Sequence, residues 1–189
     1  MDTPLASLVP LTPGSPPDPA ALARSARAGD ANALGGLYDA YADSLYRIAY
    51  RLSGNSDDAQ DIVHDCFVGL PQALRHYDER GNLGAWLRRV IVRLVLMRRR
   101  GDDRRREVPF EAMPSPASTS RTDAAAELDD IRRVIYALPT ALRDVFVLKQ
   151  IEGYSHEEIA QLLGISAGAS RVRLTRALTA LGRALAPRR

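Results

Sequence analysis

Apolar residues recur at three- and four-residue steps in successive blocks, and each block is bounded by residue types that start or stop a helix. Asp18 followed by Pro19 supplies an N-cap and a first-turn proline for a short helix that stops at Gly29. Asp30 caps a long amphipathic helix carrying Leu34, Leu37, Tyr38, Tyr41, Leu45, Ile48, Ala49 and Leu52 on one side. Gly54 and Asn55 break it. Ser56, Asp57 and Asp58 start the next, whose apolar face is Ala59, Ile62, Val63, Cys66, Phe67 and Leu70, and Pro71 predicts a kink or an end there. A polar stretch from Arg75 to Asn82 precedes a helix over 83–100 with Trp86, Leu87, Val90, Ile91 and Leu94 on one face and Arg88, Arg89 and Arg93 on others.

From Gly101 to about Asp123 the period disappears into charge, proline and serine, which reads as a linker. Such a segment spans roughly 75 to 80 Å when fully extended and averages about 25 to 30 Å as a coil. Periodicity resumes with Leu128, Ile131, Val134, Ile135 and Leu138, then with Leu142, Val145, Phe146, Leu148 and Ile151 up to Gly153. Ser155 and Glu158 form a Ser-x-x-Glu capping box, Gly164 allows a backbone reversal, and a second helix begins near Ser166 with Arg171, Arg173 and Arg176 on it. This reads as a helix-turn-helix, whose second helix would enter a DNA major groove. An ordinary αα-hairpin with a solvated basic face has the same spacing.

The expected fold is all-α: a flexible N-terminal tail over 1–17, a small helical domain over 18–100, a flexible linker over 101–123, and a second small helical domain over 124–186. A chain of 189 residues leaves each domain only a modest core. The net charge of +3 matters less than its distribution, because the arginines gather in 88–106 and from 171 to the C-terminus. Local basic patches favour a polyanionic partner. Asp57 and Asp58 complement a helix N-terminus, whereas Asp61 and Asp65 lie deeper in the helix and leave a basic protein partner open. An arginine-lined helix beside an aromatic-bearing loop suits single-stranded nucleic acid. Trp86 taken alone is more often a core residue than a base-stacking platform.

Cys66 is the only cysteine, which excludes an intrachain disulfide, and its place on an apolar face suits a buried thiol. His64, His76 and His156 lack metal-ligand spacing. There is no glycine-rich phosphate loop, nor any nucleophile and base suggested by a motif, so no catalytic residue, metal or cofactor is expected. Arg93 interrupts the longest apolar run, and the first residues lack a basic segment followed by a hydrophobic core, so no signal peptide is expected. A cytoplasmic location without membrane insertion is expected.

With both modules placed, the residues resemble the bacterial extracytoplasmic-function sigma factors, the smallest two-domain sigma subunits of RNA polymerase. The stretch DDAQDIVHDCFVGL is similar to the helix of their region 2, which implies docking on core RNA polymerase through Gln60, Asp61, His64 and Asp65. NLGAWLRRVIVRLVLMRRR resembles the segment that melts and reads the minus-ten promoter element. That likeness implies DNA contacts from His76, Tyr77, Arg80, Asn82, Trp86, Arg89 and Arg93. LPTALRDVFVLKQIEGYSHEEIAQLLGISAGASRVRLTRALTAL is similar to region 4, which reads the minus-thirty-five element. It implies contacts from Ser166, Ala167, Gly168, Ala169, Ser170, Arg171, Arg173 and Arg176.

Promoter DNA, core RNA polymerase and an anti-sigma factor are the partners implied, and a stress or envelope response is the expected setting. A stand-alone helix-turn-helix regulator is the rival, but it would leave the first module without a purpose. The chain departs from the family pattern at Pro71, Arg93 and Met97. Ser170 also falls where an apolar residue normally packs, from which a rotated or loosely seated recognition helix is expected.

Overall fold

The caps read from the sequence at Asp18, Asp30 and Ser155 form in the structure, a computed structural model that describes residues 18–78, 82–105 and 131–186. Asp18 accepts from the Ala20 amide and opens α1 (Pro19–Arg27). Asp30 accepts from the amides of Asn32 and Ala33 and opens α2 (Ala31–Ser53), which closes on Gly54 in the left-handed region at φ 78°. Asn55 accepts from the amides of Asp57 and Asp58 at the start of α3 (Ser56–Ala73). A short 3₁₀ turn (Leu74–His76) then leads to Tyr77.

Two boundaries differ from expectation. Helix α3 continues past Pro71 to Ala73, because a proline so close to the end removes one hydrogen bond from a turn that is already closing. Helix α4 (Leu83–Arg105) runs on through Gly101, so the linker cannot begin before residue 106. Glycine in a helix costs only about 1 kcal/mol, which does not stop a helix already propagating from an apolar, packed segment. The N-terminal tail and the remainder of the linker lie outside the described residues.

In the second half, residues 131–136 (α5) are helical, and α6 (Thr140–Phe146) passes directly into a π-helical turn (Val147–Ile151). Tyr154 donates its amide to the Leu148 carbonyl at 2.9 Å across that widened turn. Helices α7 (His156–Leu163) and α8 (Ala167–Leu185) complete the chain.

The first three helices pack with α4 around Leu37, Leu45, Leu52, Ile62, Phe67, Leu70, Leu87 and Ile91. Apolar packing does not end at the boundary between modules. Val145, Val147, Leu148, Tyr154 and Ile159 belong to the same continuous cluster, while Leu138, Ala177 and Leu181 form a smaller one inside the second module. Separate cores were expected; the described residues share one. Helix α4 accounts for this. Beyond the face read from the sequence it also buries Val92, Val95 and Leu96, so it is apolar on two sides and must be covered from both.

Polar contacts pin the two modules at defined points. Arg99 makes a bidentate pair with Asp144, one arm at 2.9 Å, and the Asp144 side chain is 6% exposed. Arg51 meets the buried Glu152 at 2.8 Å. Tyr136 donates its hydroxyl to the Tyr50 carbonyl, packs edge-on against the Tyr50 ring, and lies over Gly54. Burial pushes the Tyr136 phenol up to about 12, so this hydroxyl remains a donor at any physiological pH.

A buried ion pair gains Coulomb energy but gives up hydration of both charges, and the two nearly offset. Arg99–Asp144 therefore fixes where the modules meet while leaving them separable, since each charge regains water on parting. Asp144→Arg would place a third guanidinium beside Arg99 and Arg143. The variant should keep its far-ultraviolet circular dichroism while its radius of gyration in small-angle X-ray scattering rises; an unchanged radius would mean that the apolar contacts alone hold the modules together.

Candidate nucleic-acid interface

The helix-turn-helix is built from caps that satisfy their own amides. Ser155 Oγ accepts from the Glu158 amide at 3.1 Å and Glu158 Oε2 accepts from the Ser155 amide at 2.9 Å, closing the capping box. Gly164, at φ 67°, makes the turn in a conformation that costs other residues a Cβ clash. Ser166 Oγ accepts from the Ala169 amide and starts α8.

Along α8 the residues at 170, 174, 177 and 181 face inward, with Ser170 and Ala177 fully buried. The solvent side carries Ser166, Gly168, Arg171, Val172 and Arg176, with Ala167, Ala169 and Arg173 half-buried. Arg171 is held by Glu157 at 2.8 Å. Ser170 does not belong among the DNA-contacting residues. It is 0% exposed and its hydroxyl lies 2.9 Å from Nδ1 of His156. The helix is accordingly neither rotated nor loose: the serine occupies the inward position, and a hydrogen bond replaces apolar packing.

In the first module, Asn82 caps α4 by accepting from the Ala85 amide at 3.0 Å. Gly84 lies close to Tyr41, where a Cβ would stand 3.2 Å from the ring and require it to shift by a few tenths of an ångström. Trp86 is half-buried with its ring centroid 5.1 Å from that of Tyr77. Tyr77 is itself buried, so its ring supports Trp86 and offers no open face for a base. His76 and Asn82 are exposed beside it, and Arg80 lies outside the described residues. Arg89, Arg93, Met97 and Arg100 form an exposed stripe at three- and four-residue steps along α4. Within it, Arg89 is drawn to Glu158 of the capping box at 2.6 Å.

On α3, Gln60, Asp61, His64 and Asp65 share one exposed face. Arg98 reaches across from α4 to Asp61 at 2.8 Å, with Asp58 at 3.6 Å and Asp65 at 3.9 Å. The hydrogen bond that Arg98 donates to Asp61 raises the Arg98 pKa, outweighing the opposite effect of burial. Sequence reading missed Arg98, because no spacing rule ties it to carboxylates on another helix. Burial pushes the Cys66 thiol up to about 11, which keeps it protonated and inert. Among the described residues no cluster of acidic, histidine or cysteine side chains could hold a metal ion, and no helix is long and apolar enough to cross a membrane.

Comparison with known proteins matches residues 37–105 to the Sigma-70 region 2 family and residues 128–181 to the Sigma-70 region 4 family. The RNA polymerase sigma factor NccH of Alcaligenes xylosoxydans xylosoxydans is 32% identical over 172 residues, covering 85% of this chain and 92% of that one. The ECF RNA polymerase sigma factor SigE of Mycolicibacterium smegmatis is 34% identical over 142 residues, 72% of this chain; the match spans 55% of that relative's length. Among solved structures, CnrH in complex with the cytosolic domain of CnrY superposes with a TM-score of 0.57 at 28% identity, covering 89% of this chain and 97% of that one.

The Ser155 amide holds the Glu158 carboxyl below its ordinary value; partial burial opposes this and Arg89 adds to it. A carboxyl depressed in the folded chain adds stability that is complete at neutral pH and is lost as pH falls through its folded value. Glu158→Gln keeps a capping acceptor but cannot titrate. It should therefore flatten part of the fall in melting temperature between roughly pH 5 and 3; an acid limb identical to wild type would remove the carboxylate from that role.

Proposed function

The chain belongs to the extracytoplasmic-function RNA polymerase sigma factors, and from that premise we propose that it binds core RNA polymerase and directs it to promoters through two separate holds on the DNA. The observation that carries this reading is the pairing, in one chain, of a helix-turn-helix with an exposed acidic face on α3. A stand-alone regulator has no use for that second surface.

Gln60, Asp61, His64 and Asp65 form the polymerase-docking face. The α4 stripe of Arg89 and Arg93, with His76, Asn82 and Trp86 at its N-terminal end, meets the minus-ten element. Arginines here take the backbone phosphates, while Trp86 lends an aromatic edge to an unstacked base. Extruding a base costs a few kcal/mol, which stacking and hydrogen bonds must offset. In the second module the N-terminal turn of α8, from Ser166 to Ala169, faces the base edges of the minus-thirty-five element, and Arg171, Arg173 and Arg176 hold phosphates or guanine. The chain catalyses nothing itself. Bond formation belongs to the polymerase, in the cytoplasm.

The two promoter elements, about 25 base pairs apart, lie roughly 85 Å from each other along B-form DNA. Arg89 and Glu158 touch in the closed arrangement, so the modules must part before both elements can be held. The roughly 25 residues between Arg105 and Ile131 reach at most about 80 to 90 Å. Binding then exchanges internal carboxylates for DNA phosphates on the same arginines. By likeness to the sigma factor RpoE, solved in complex with the anti-sigma factor NepR from Bartonella quintana, an anti-sigma partner that silences the chain is proposed, in a stress or envelope response.

Purified chain plus core polymerase should yield discrete transcription starts on genomic DNA. Tight binding by the chain alone with no core-dependent start would overturn this reading. Reversing charge at Asp61 and Asp65 together should weaken core binding at least about tenfold, the effect of losing two charge-assisted contacts, and leave binding of the second module to duplex DNA unchanged. Equal losses in both assays would count against docking through α3.

A further inference from the structure

Among the described residues an aspartate and a serine are buried, Asp144 at the joint between modules and Ser170, wholly withdrawn from water, inside the helix-turn-helix. We propose that the Ser170–His156 hydrogen bond is a positioning latch that sets the rotation of α8 about its axis, and with it the base preference at the upstream promoter element. The proposal rests on the reading of α8 as the recognition helix.

The bond joins the first turns of both helices. His156 is the first residue of α7, directly after its cap, and Ser170 is the fourth of α8. Either tautomer makes it: Nδ1 accepts the hydroxyl proton, or Nδ1–H donates to Oγ. The Ser170 amide is already used by the Ser166 carbonyl at 3.0 Å, so the hydroxyl is free to serve the contact between helices.

An apolar side chain at this position would pack without direction, because burial of apolar area is indifferent to small rotations. A hydrogen bond tolerates far less, weakening within a few tenths of an ångström and a few tens of degrees. On a helix whose side-chain tips lie about 6 Å from the axis, a rotation of 20° moves an arginine by about 2 Å, more than a base-edge contact survives. The adjacent pair Glu157–Arg171 cannot do this work, since it is exposed on both sides and such pairs contribute little. The latch stands on the inward side, directly behind the residues that face the groove.

The test uses holoenzyme, the full chain with core polymerase, selecting from promoters randomised at the upstream element. Ser170→Ala and Ser170→Val both remove the bond, one by truncation and one by restoring an apolar contact. His156→Asn keeps a donor and acceptor where Nδ1 stands. Thermal melting accompanies each variant. The expected result is that both Ser170 variants fold, initiate transcription and enrich an altered motif, discriminating against the wild-type best sequence about tenfold or more, the size of one lost base-edge contact. His156→Asn should return the wild-type motif, which a merely structural role would not require. Wild-type motifs from both Ser170 variants would overturn the latch while leaving the sigma reading intact. No motif enriched by the wild-type holoenzyme would overturn the recognition-helix reading, and the latch with it.

Discussion

Leu87, Ile91 and Val95 on one side of α4, and Val92 and Leu96 on another, are withdrawn from water together, and no single layer of helices can cover both. Helices α2 and α3 pack against α4 from within the first module, and α7 packs against it from the second. Burial of side chains of this size is worth roughly 1.5 to 3 kcal/mol each, so an isolated first module would leave a costly apolar strip exposed. This constraint explains why one apolar cluster runs across a chain that matches two distinct family regions. It also explains why α4 outlasts Gly101, since a helix held on two sides propagates past one poor residue.

Charge placement follows from that packing. Once α4 is sandwiched, its arginines are sorted by direction: Arg98 toward the carboxylates of α3, Arg99 toward Asp144, and Arg89 toward the capping box of α7. The surfaces proposed to meet polymerase and DNA are thereby engaged in part by the chain itself. The exposed pairs are weak and screened by salt, and the buried one is nearly balanced by desolvation. A closed arrangement of this kind is well defined yet exchangeable, as a protein that must trade internal partners for polymerase and DNA requires.

The helix-turn-helix shows a different division. Its boundaries depend on Ser155, Glu158 and Ser166, each accepting from an amide three residues away, and on the left-handed backbone of Gly164, and all four perform as their positions in the sequence suggest. Ser170 resists such reading. Its polarity suggested a misplaced helix, whereas the structure places it fully inside, facing a histidine fourteen residues earlier. Tyr77 errs in the opposite sense, because an aromatic in a polar stretch looks available for stacking until Trp86 is found against it.

The sequence by itself determined the all-α class, the caps, the order of the helices, the exposed acidic face of α3 and the family, because all of these rest on local backbone chemistry or on short motifs. The run from Val90 to Leu96 even carried the sign of a helix buried on two sides, being apolar at nearly every step except Arg93. Only the tertiary structure decided which carboxylate each arginine meets, that the two modules share a core, and what Ser170 does. Those contacts join residues 14 to 101 positions apart. They are set by how helices cross and rotate against one another, and a periodicity that states which face is apolar says nothing about which partner that face will find.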